Sequence, residues 1–337
     1  MSLNTLLPPW LLSSAQRLAQ SDGHAWLLAG APGLGQWILA QTVARAWLCE
    51  QPASEGLACG QCPSCLAMDS HTHPDLHVLL PDELALQEQW PLDPKLLDKL
   101  EKKEVKPSKW IRVDSVRAML GFAQTTASRG RGKVVLVYPA QRLNIESANA
   151  LLKVLEEPAQ GLRFLLVTEA AHQLLPTIRS RCLSHVLAWP SVEQVLPWLE
   201  HALDAPDQAQ GWLRLAGGLP YEALALAQTG VAYHDIRQWP RHLHSAHPAA
   251  LSVLSALSPS TALSLLQKVA HDALLMAHRL APRYFEADTF PDRLDASRIG
   301  EWSQALMNQK THVEHPFQAA LMHEAWLDGA RTALKPH

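Results

Sequence analysis

Four cysteines in the first quarter of the chain carry the most specific chemistry. Cys49, Cys59, Cys62 and Cys65 are separated by nine, two and two intervening residues, so two Cys-x-x-Cys steps share Cys62. Such spacing lets four thiolates converge on one tetrahedral ion, with the longer loop from Cys49 closing the fourth corner. Gly60 and Pro63 suit the tight turns this requires. A complete thiolate set has no open coordination position, so the expected metal is a structural zinc. An iron–sulfur centre, a redox dithiol and four free cysteines are the alternatives. His71 and His73 lie close enough in sequence to compete as ligands. Cys182 is isolated and reads as a small buried residue.

A second constellation looks like phosphate chemistry with its working parts removed. The apolar run Ala25–Ala29 feeds Gly30-Ala31-Pro32-Gly33-Leu34-Gly35, and helical spacing follows over 38–49. A functional phosphate loop continues with Lys and Ser/Thr. Gln36 and Trp37 stand there instead, which removes the ammonium for the phosphates and the hydroxyl for Mg²⁺. The apolar strand expected over 133–138 should end in acidic residues that hold Mg²⁺, but Tyr138 and Pro139 occupy those positions. Both halves of a phosphoryl-transfer apparatus are therefore missing. Backbone N–H groups near Gly33 and Gly35 leave anion binding without hydrolysis open.

The elements that must position these groups alternate through the first half. Strands are expected at 25–29, 76–80, 133–138 and 163–168, and helices at 11–20, 38–49, 111–122 and 147–157. The runs Lys133–Tyr138 and Arg163–Thr168 are the continuous kind buried on both faces of a parallel sheet. This predicts a three-layer α/β domain. Beyond about residue 190 the apolar stripes have helical period, notably over 250–278 and 317–333. Segment 81–109 reads as an exposed insertion with one helical piece at 95–104. Its six lysines, Lys95, Lys99, Lys102, Lys103, Lys106 and Lys109, suit a solvated face or a contact to nucleic acid or a partner.

The 337 residues predict two or three domains. Apolar residues make up 47% and charged residues 18%, as in a soluble globular protein. The formal charge of −3 gives no global argument for nucleic-acid binding. No apolar run reaches the ~18 residues of a membrane span. The start, Met1-Ser2-Leu3-Asn4, lacks a basic leader, so a cytoplasmic protein is expected. Most of the 12 tryptophans should be packing residues.

The combination of motifs resembles the delta-prime family of bacterial DNA polymerase III clamp-loader subunits, within the AAA+ superfamily. The resemblance rests on His24–Leu28 before the glycine loop, the cysteine spacing, His73-Pro74-Asp75, Ile111–Arg117, Asn149–Pro158 and Ile178-Arg179-Ser180-Arg181-Cys182. Thr168 falls where that family has a sensor residue, and His315–Ala325 resembles its last collar helix. The related tau/gamma subunits keep Lys-Thr after the glycine loop and acids after the second strand, so Gln36, Trp37, Tyr138 and Pro139 argue against them. No sensor arginine appears near Gly217–Ala223, where an active relative would have one.

The resemblance implies an AAA+ core over 1–165 with a zinc module at 49–65, a small helical lid over 166–205 and an all-helical collar over 206–337. It implies no functional ATP site, with Gly30, Gly33, Gly35, Gln36 and Trp37 a degenerate loop. It also implies that Arg181 acts in trans, as an arginine finger toward the ATP site of a neighbouring tau/gamma subunit. Delta and tau/gamma are the implied partners, with the sliding β clamp and primer-template DNA met through the complex. An independent zinc-bearing nucleotide-binding enzyme and a degenerate AAA+ scaffold outside replication are the alternatives. Intrinsic ATPase marks the first, and failure to associate with polymerase III subunits marks the second.

Overall fold

The computed structural model describes residues 7–309 and 319–335. Of the segment resembling a last collar helix, 315–318 lie outside the described residues, and 319–325 fall within a helix. The chain divides into two compact units, one ending at Gln194 and one beginning at Val195.

The first unit is built on five parallel strands: β1 (Ala25–Ala29), β2 (Leu76–Leu79), β3 (Lys133–Val137), β4 (Leu162–Thr168) and β5 (Leu183–Val186). Their order is β2-β3-β4-β1-β5. All of β3 is buried, as its uninterrupted apolar run predicts. Register places Leu27 of β1 beside Leu166 of β4, and Leu166 beside Val137 of β3. Around the sheet lie α1 (Pro9–Ala19), α2 (Gln36–Leu48), α3 (Pro63–Asp69), α4 (Asp82–Gln87), α5 (Pro94–Glu101), α6 (Val113–Gln124), α7 (Ile145–Glu156) and α8 (Pro176–Arg179). The main core joins Leu27, Val135 and Phe164 of the sheet to Met119 of α6 and Leu151 of α7. The side chain of Asn144 starts α7 by accepting from the Ser147 N–H at 2.8 Å. Pro158 follows its end.

Two expectations change here. Residue 165, the expected end of the core, lies inside β4, and β5 pairs with β1 through Trp26↔Leu183 to Ala29↔Val186. The α/β unit therefore runs on to Gln194 and takes in most of the segment expected as a helical lid. β5 left little trace in sequence because it is a four-residue edge strand whose Leu183 and Val186 are exposed. The insertion holds two helical pieces, α4 and α5, where one was expected. α5 buries nothing, and the Asp93 side chain caps it by accepting from the Lys95 N–H at 2.9 Å.

Helix α2 is covered on almost every side, and only Ile38 of its 13 residues is not buried. Its polar Gln36 and Arg45 are therefore inside the protein and need partners.

In the second unit, helices are the only extended elements among the described residues. α9 (Val192–Ala202) leads into it, followed by α10 (Ala209–Leu215), α11 (Pro220–Ala227), α12 (Tyr233–Arg237), α13 (Trp239–His244), α14 (Ala249–Ala256), α15 (Pro259–Ala277), α16 (Ala296–Gln309) and α17 (Ala319–Leu334). Gly217 and Gly218, at φ 70° and 89°, supply the left-handed turn after α10. Trp239, Trp302 and Trp326 are buried core residues, as expected for most tryptophans. Buried Asp272 ties down the loop after α15 by accepting from the N–H groups of Arg283, Tyr284 and Phe285. Among the described residues, no helix is long and apolar enough to cross a membrane.

Candidate functional site

Three segments meet at the carboxyl end of the sheet: the glycine loop after β1, Tyr138 after β3, and Glu169 after β4. Ligands of open α/β sheets bind at this end. Gly33 and Gly35 keep left-handed backbone at φ 80° and 96°, so the loop retains its turn. Its interior is satisfied from within. The Gln36 side chain, 2% exposed, donates its amide to the carbonyls of Ala31 at 3.0 Å and Gly30 at 3.3 Å. The Trp10 indole N–H pins the loop from outside by donating to the Leu34 carbonyl at 3.1 Å.

The two positions that would hold Mg²⁺ are joined by aromatic stacking. The rings of Trp37 and Tyr138 lie 4.9 Å apart at 12°. Burial, and then the Glu169 carboxylate, push the Tyr138 phenol well above its ordinary range, so it stays protonated and donates to Glu169 Oε1 at 3.2 Å. Burial also raises Glu169, against the hydrogen bond from Tyr138. The insertion supplies the cover. Trp90 meets Trp37 edge-on at 6.2 Å, and Glu88 accepts from the Trp37 indole N–H at 3.3 Å. Closing this site is thus one role of segment 81–109, and sequence reasoning missed it because Glu88 and Trp90 lie about fifty residues from Trp37. Thr168 faces inward too, donating to Gln141 Oε1 at 2.7 Å.

Trp37 has thereby become a core residue. Replacing it with alanine should cost about 3–5 kcal/mol, the range for a buried Trp→Ala change. Urea unfolding of both proteins checks this, and a midpoint within error of wild type would contradict it.

The four cysteines come together as expected. Their sulfurs all lie within 4.8 Å of one another. Cys49 and Cys59 are 3.5 Å apart, Cys49 and Cys62 3.8 Å, and Cys59 and Cys65 4.0 Å. Those gaps exceed the ~2.05 Å of a disulfide bond. They match the ~3.8 Å edge of a tetrahedron drawn with metal–sulfur bonds of ~2.3 Å. Backbone N–H groups of Cys59, Cys62 and Cys65 point at the sulfurs of Cys49, Cys59 and Cys62 at 3.3, 3.4 and 3.4 Å, which favours thiolates. Burial, then the adjacent Cys62, push the Cys65 thiol up to about 12. Burial resists ionisation of Cys62 as well, but N–H donors from Cys65 and Glu50 bring it down to about 6. Four adjacent sulfurs cannot all become anionic without a cation between them, and a single tetrahedral ion fits the set. Such compactness leaves no room for a multi-iron cluster. The histidines are engaged elsewhere. His71 stacks on Trp90 at 3.9 Å, and His73 Nδ1 accepts from the Asp75 N–H at 3.1 Å. Asp75, fully buried, in turn accepts from the N–H groups of Ser128 and Arg129. Cys182 stands apart from the cluster, and burial raises its thiol to about 11.

Arg181 lies just after α8, on the surface of the first unit. Its Nη1 donates to the Thr177 carbonyl at 2.9 Å, and its Nη2 pairs with the carboxylate of Glu156 at the end of α7. The side chain is 33% exposed.

A parallel α/β unit with a glycine loop at its carboxyl end, followed by a helical unit, defines an AAA+-like fold. The same fold occurs in a DNA polymerase III gamma subunit-related protein from Thermotoga maritima, with a TM-score of 0.50, 15% identity, and coverage of 97% of this chain and 100% of that one. Residues 12–190 match the family model described as DNA polymerase III, delta subunit. A DNA polymerase III subunit delta' from Pseudomonas aeruginosa is 40% identical over 227 residues, 66% of this chain and 62% of that relative. The match thus spans less than two thirds of the relative's own length. DNA polymerase III subunit tau from Escherichia coli K12 is 31% identical over 218 residues, 63% of this chain and 30% of the relative. The chain belongs to the bacterial DNA polymerase III delta-prime/gamma-tau family of AAA+-related clamp-loader subunits.

Proposed function

We propose that this chain is a delta-prime-type subunit that hydrolyses no ATP and assists hydrolysis by a neighbour. The stacked pair Trp37–Tyr138 carries the reading. A hydroxyl and a carboxylate would hold Mg²⁺ at those two positions, and two aromatic rings tie them together instead. The chemistry that remains is Arg181, whose guanidinium reaches the surface and suits the charge of a transferring phosphoryl group. Its partner is the nucleotide site of an adjacent tau/gamma subunit.

In this reading the four cysteines hold a structural zinc, which folds residues 49–65 and takes no part in a reaction. The second unit carries the end of the lid, to about residue 205, and the collar through which the subunit joins delta and tau/gamma. The assembly, in the cytoplasm, opens the sliding β clamp and places it on primer-template DNA. This subunit's share of DNA contact goes through the complex, mainly to backbone. The isolated chain should release phosphate from ATP at the rate of buffer alone. Steady turnover by the isolated chain would favour the independent-enzyme reading and defeat this one.

A further inference from the structure

The metal centre has a charged neighbour that the cysteine pattern does not reveal. Arg45 sits on α2 four residues before Cys49, and Asp69 closes α3 four residues after Cys65. Residues four apart on a helix share a face. Each is thus spaced one helical turn from a cysteine of the cluster. The two join across the gap between the helices. Arg45 donates Nη2 to Asp69 Oδ2 at 2.8 Å and Nη1 to Asp69 Oδ1, a two-point fork. The Arg45 side chain is 0% exposed and that of Asp69 30% exposed.

The fork leaves donors over. The guanidinium lies beside Cys65, and its buried Nε has no hydrogen-bond partner. A permanently charged group with a spare donor beside a sulfur is out of place against a neutral thiol and in place against a thiolate. Asp69 fixes the plane of the guanidinium, so the group is preorganised rather than adaptable. α2 has the Gln36 loop at one end and Cys49 at the other, so Arg45 also clamps the metal module to the central helix of the α/β unit.

We infer that Arg45, oriented by Asp69, is the outer-sphere donor of the tetrathiolate metal centre, holding the Cys65 thiolate and tightening the grip on the ion. It is a positioning residue, and the inference rests on the zinc reading of the four cysteines. Removing an outer-sphere partner of this kind typically loosens a metal by 10- to 100-fold. Arg45→Met keeps most of the buried volume without the donors. Arg45→Lys keeps the charge but loses the fork. Asp69→Asn keeps Arg45 and weakens its orientation, at a partly exposed position where folding is less at risk.

The test is competition for zinc between the full chain and a chelator of known affinity, with melting temperatures measured on metal-loaded and metal-free protein. Arg45→Met should bind zinc about 10- to 100-fold more weakly, with Arg45→Lys and Asp69→Asn in between. The rise in melting temperature that zinc gives should shrink in the same order, because that rise tracks affinity. A purely structural salt bridge would lower the melting temperatures of both forms equally and leave zinc affinity alone, and that outcome overturns the inference. If Arg45→Met does not fold, wild-type zinc affinity in both Arg45→Lys and Asp69→Asn overturns it. Wild-type protein that binds no zinc, and no cobalt with thiolate charge-transfer absorption, overturns the metal reading and this inference together. Tight metal in the wild type with unchanged affinity in the variants overturns only the role of Arg45.

Discussion

Cys65→Ser should abolish stoichiometric zinc and unfold the segment around residues 49–65 while leaving the parallel sheet folded. The small core of this module is Cys49, Cys62, Cys65 and Ala58, with Cys59 packed against them. With so little apolar surface, it should depend on the proposed zinc. Structural zinc contributes roughly 10–16 kcal/mol of apparent binding free energy in small zinc peptides. The net stability of a whole domain is only about 5–15 kcal/mol. The rest of the unit keeps its own core, centred on Val135, Phe164 and Leu151, which shares no residue with the cysteine cluster. Elemental analysis of the purified variant checks the metal. Limited proteolysis checks the rest, with cuts expected between about residues 49 and 72 and a protected sheet. A variant with wild-type metal content and an uncut module would contradict the structural-zinc account.

If Arg181 acts as proposed, Arg181→Ala should lower ATP turnover by the neighbouring tau/gamma subunit by ~10³-fold or more, the range for an arginine finger. That loss corresponds to about 4 kcal/mol of transition-state stabilisation. In the free chain the guanidinium is engaged by Glu156 and the Thr177 carbonyl. An ion pair with both side chains this exposed, 33% and 48%, is worth at most about 1 kcal/mol. Releasing it would therefore cost little beside what an arginine finger supplies, so the pair is no obstacle to Arg181 turning to a phosphate. The polar partners of Arg181 are Thr177, Ser180 and Glu156, none of them in the cysteine cluster or the main core, so zinc content and assembly should be retained. ATPase of the reconstituted complex, stimulated by clamp and primed DNA, is the readout. Unchanged turnover in Arg181→Ala would remove this role.

Much of the first unit was legible because its signals are local. β3 and β4 carry the continuous apolar runs Val134–Val137 and Phe164–Val167, the glycine loop and the cysteines are defined by neighbours in sequence, and Pro158 marks the end of α7. The losses at Gln36, Trp37, Tyr138 and Pro139 were legible as missing chemistry. What fills the space was not. The stack of Trp37 on Tyr138 joins residues about a hundred positions apart, and the cover from Glu88 and Trp90 comes from a segment whose lysines drew attention to its surface. β5 escaped because an exposed edge strand of four residues carries no period, and with it went the boundary expected at 165. Arg45 escaped for a related reason. A lone arginine in an apolar helix announces no partner until Asp69 and Cys65 are seen beside it.

The central claim is that a chain without ATP chemistry of its own completes a clamp loader. Its most direct test is loading of the β clamp onto primed DNA by delta and tau/gamma subunits, with this chain added or left out. Loading should require the chain, while the chain alone releases no phosphate from ATP. Loading at the same rate without it, or ATP turnover by the isolated chain, would contradict the account.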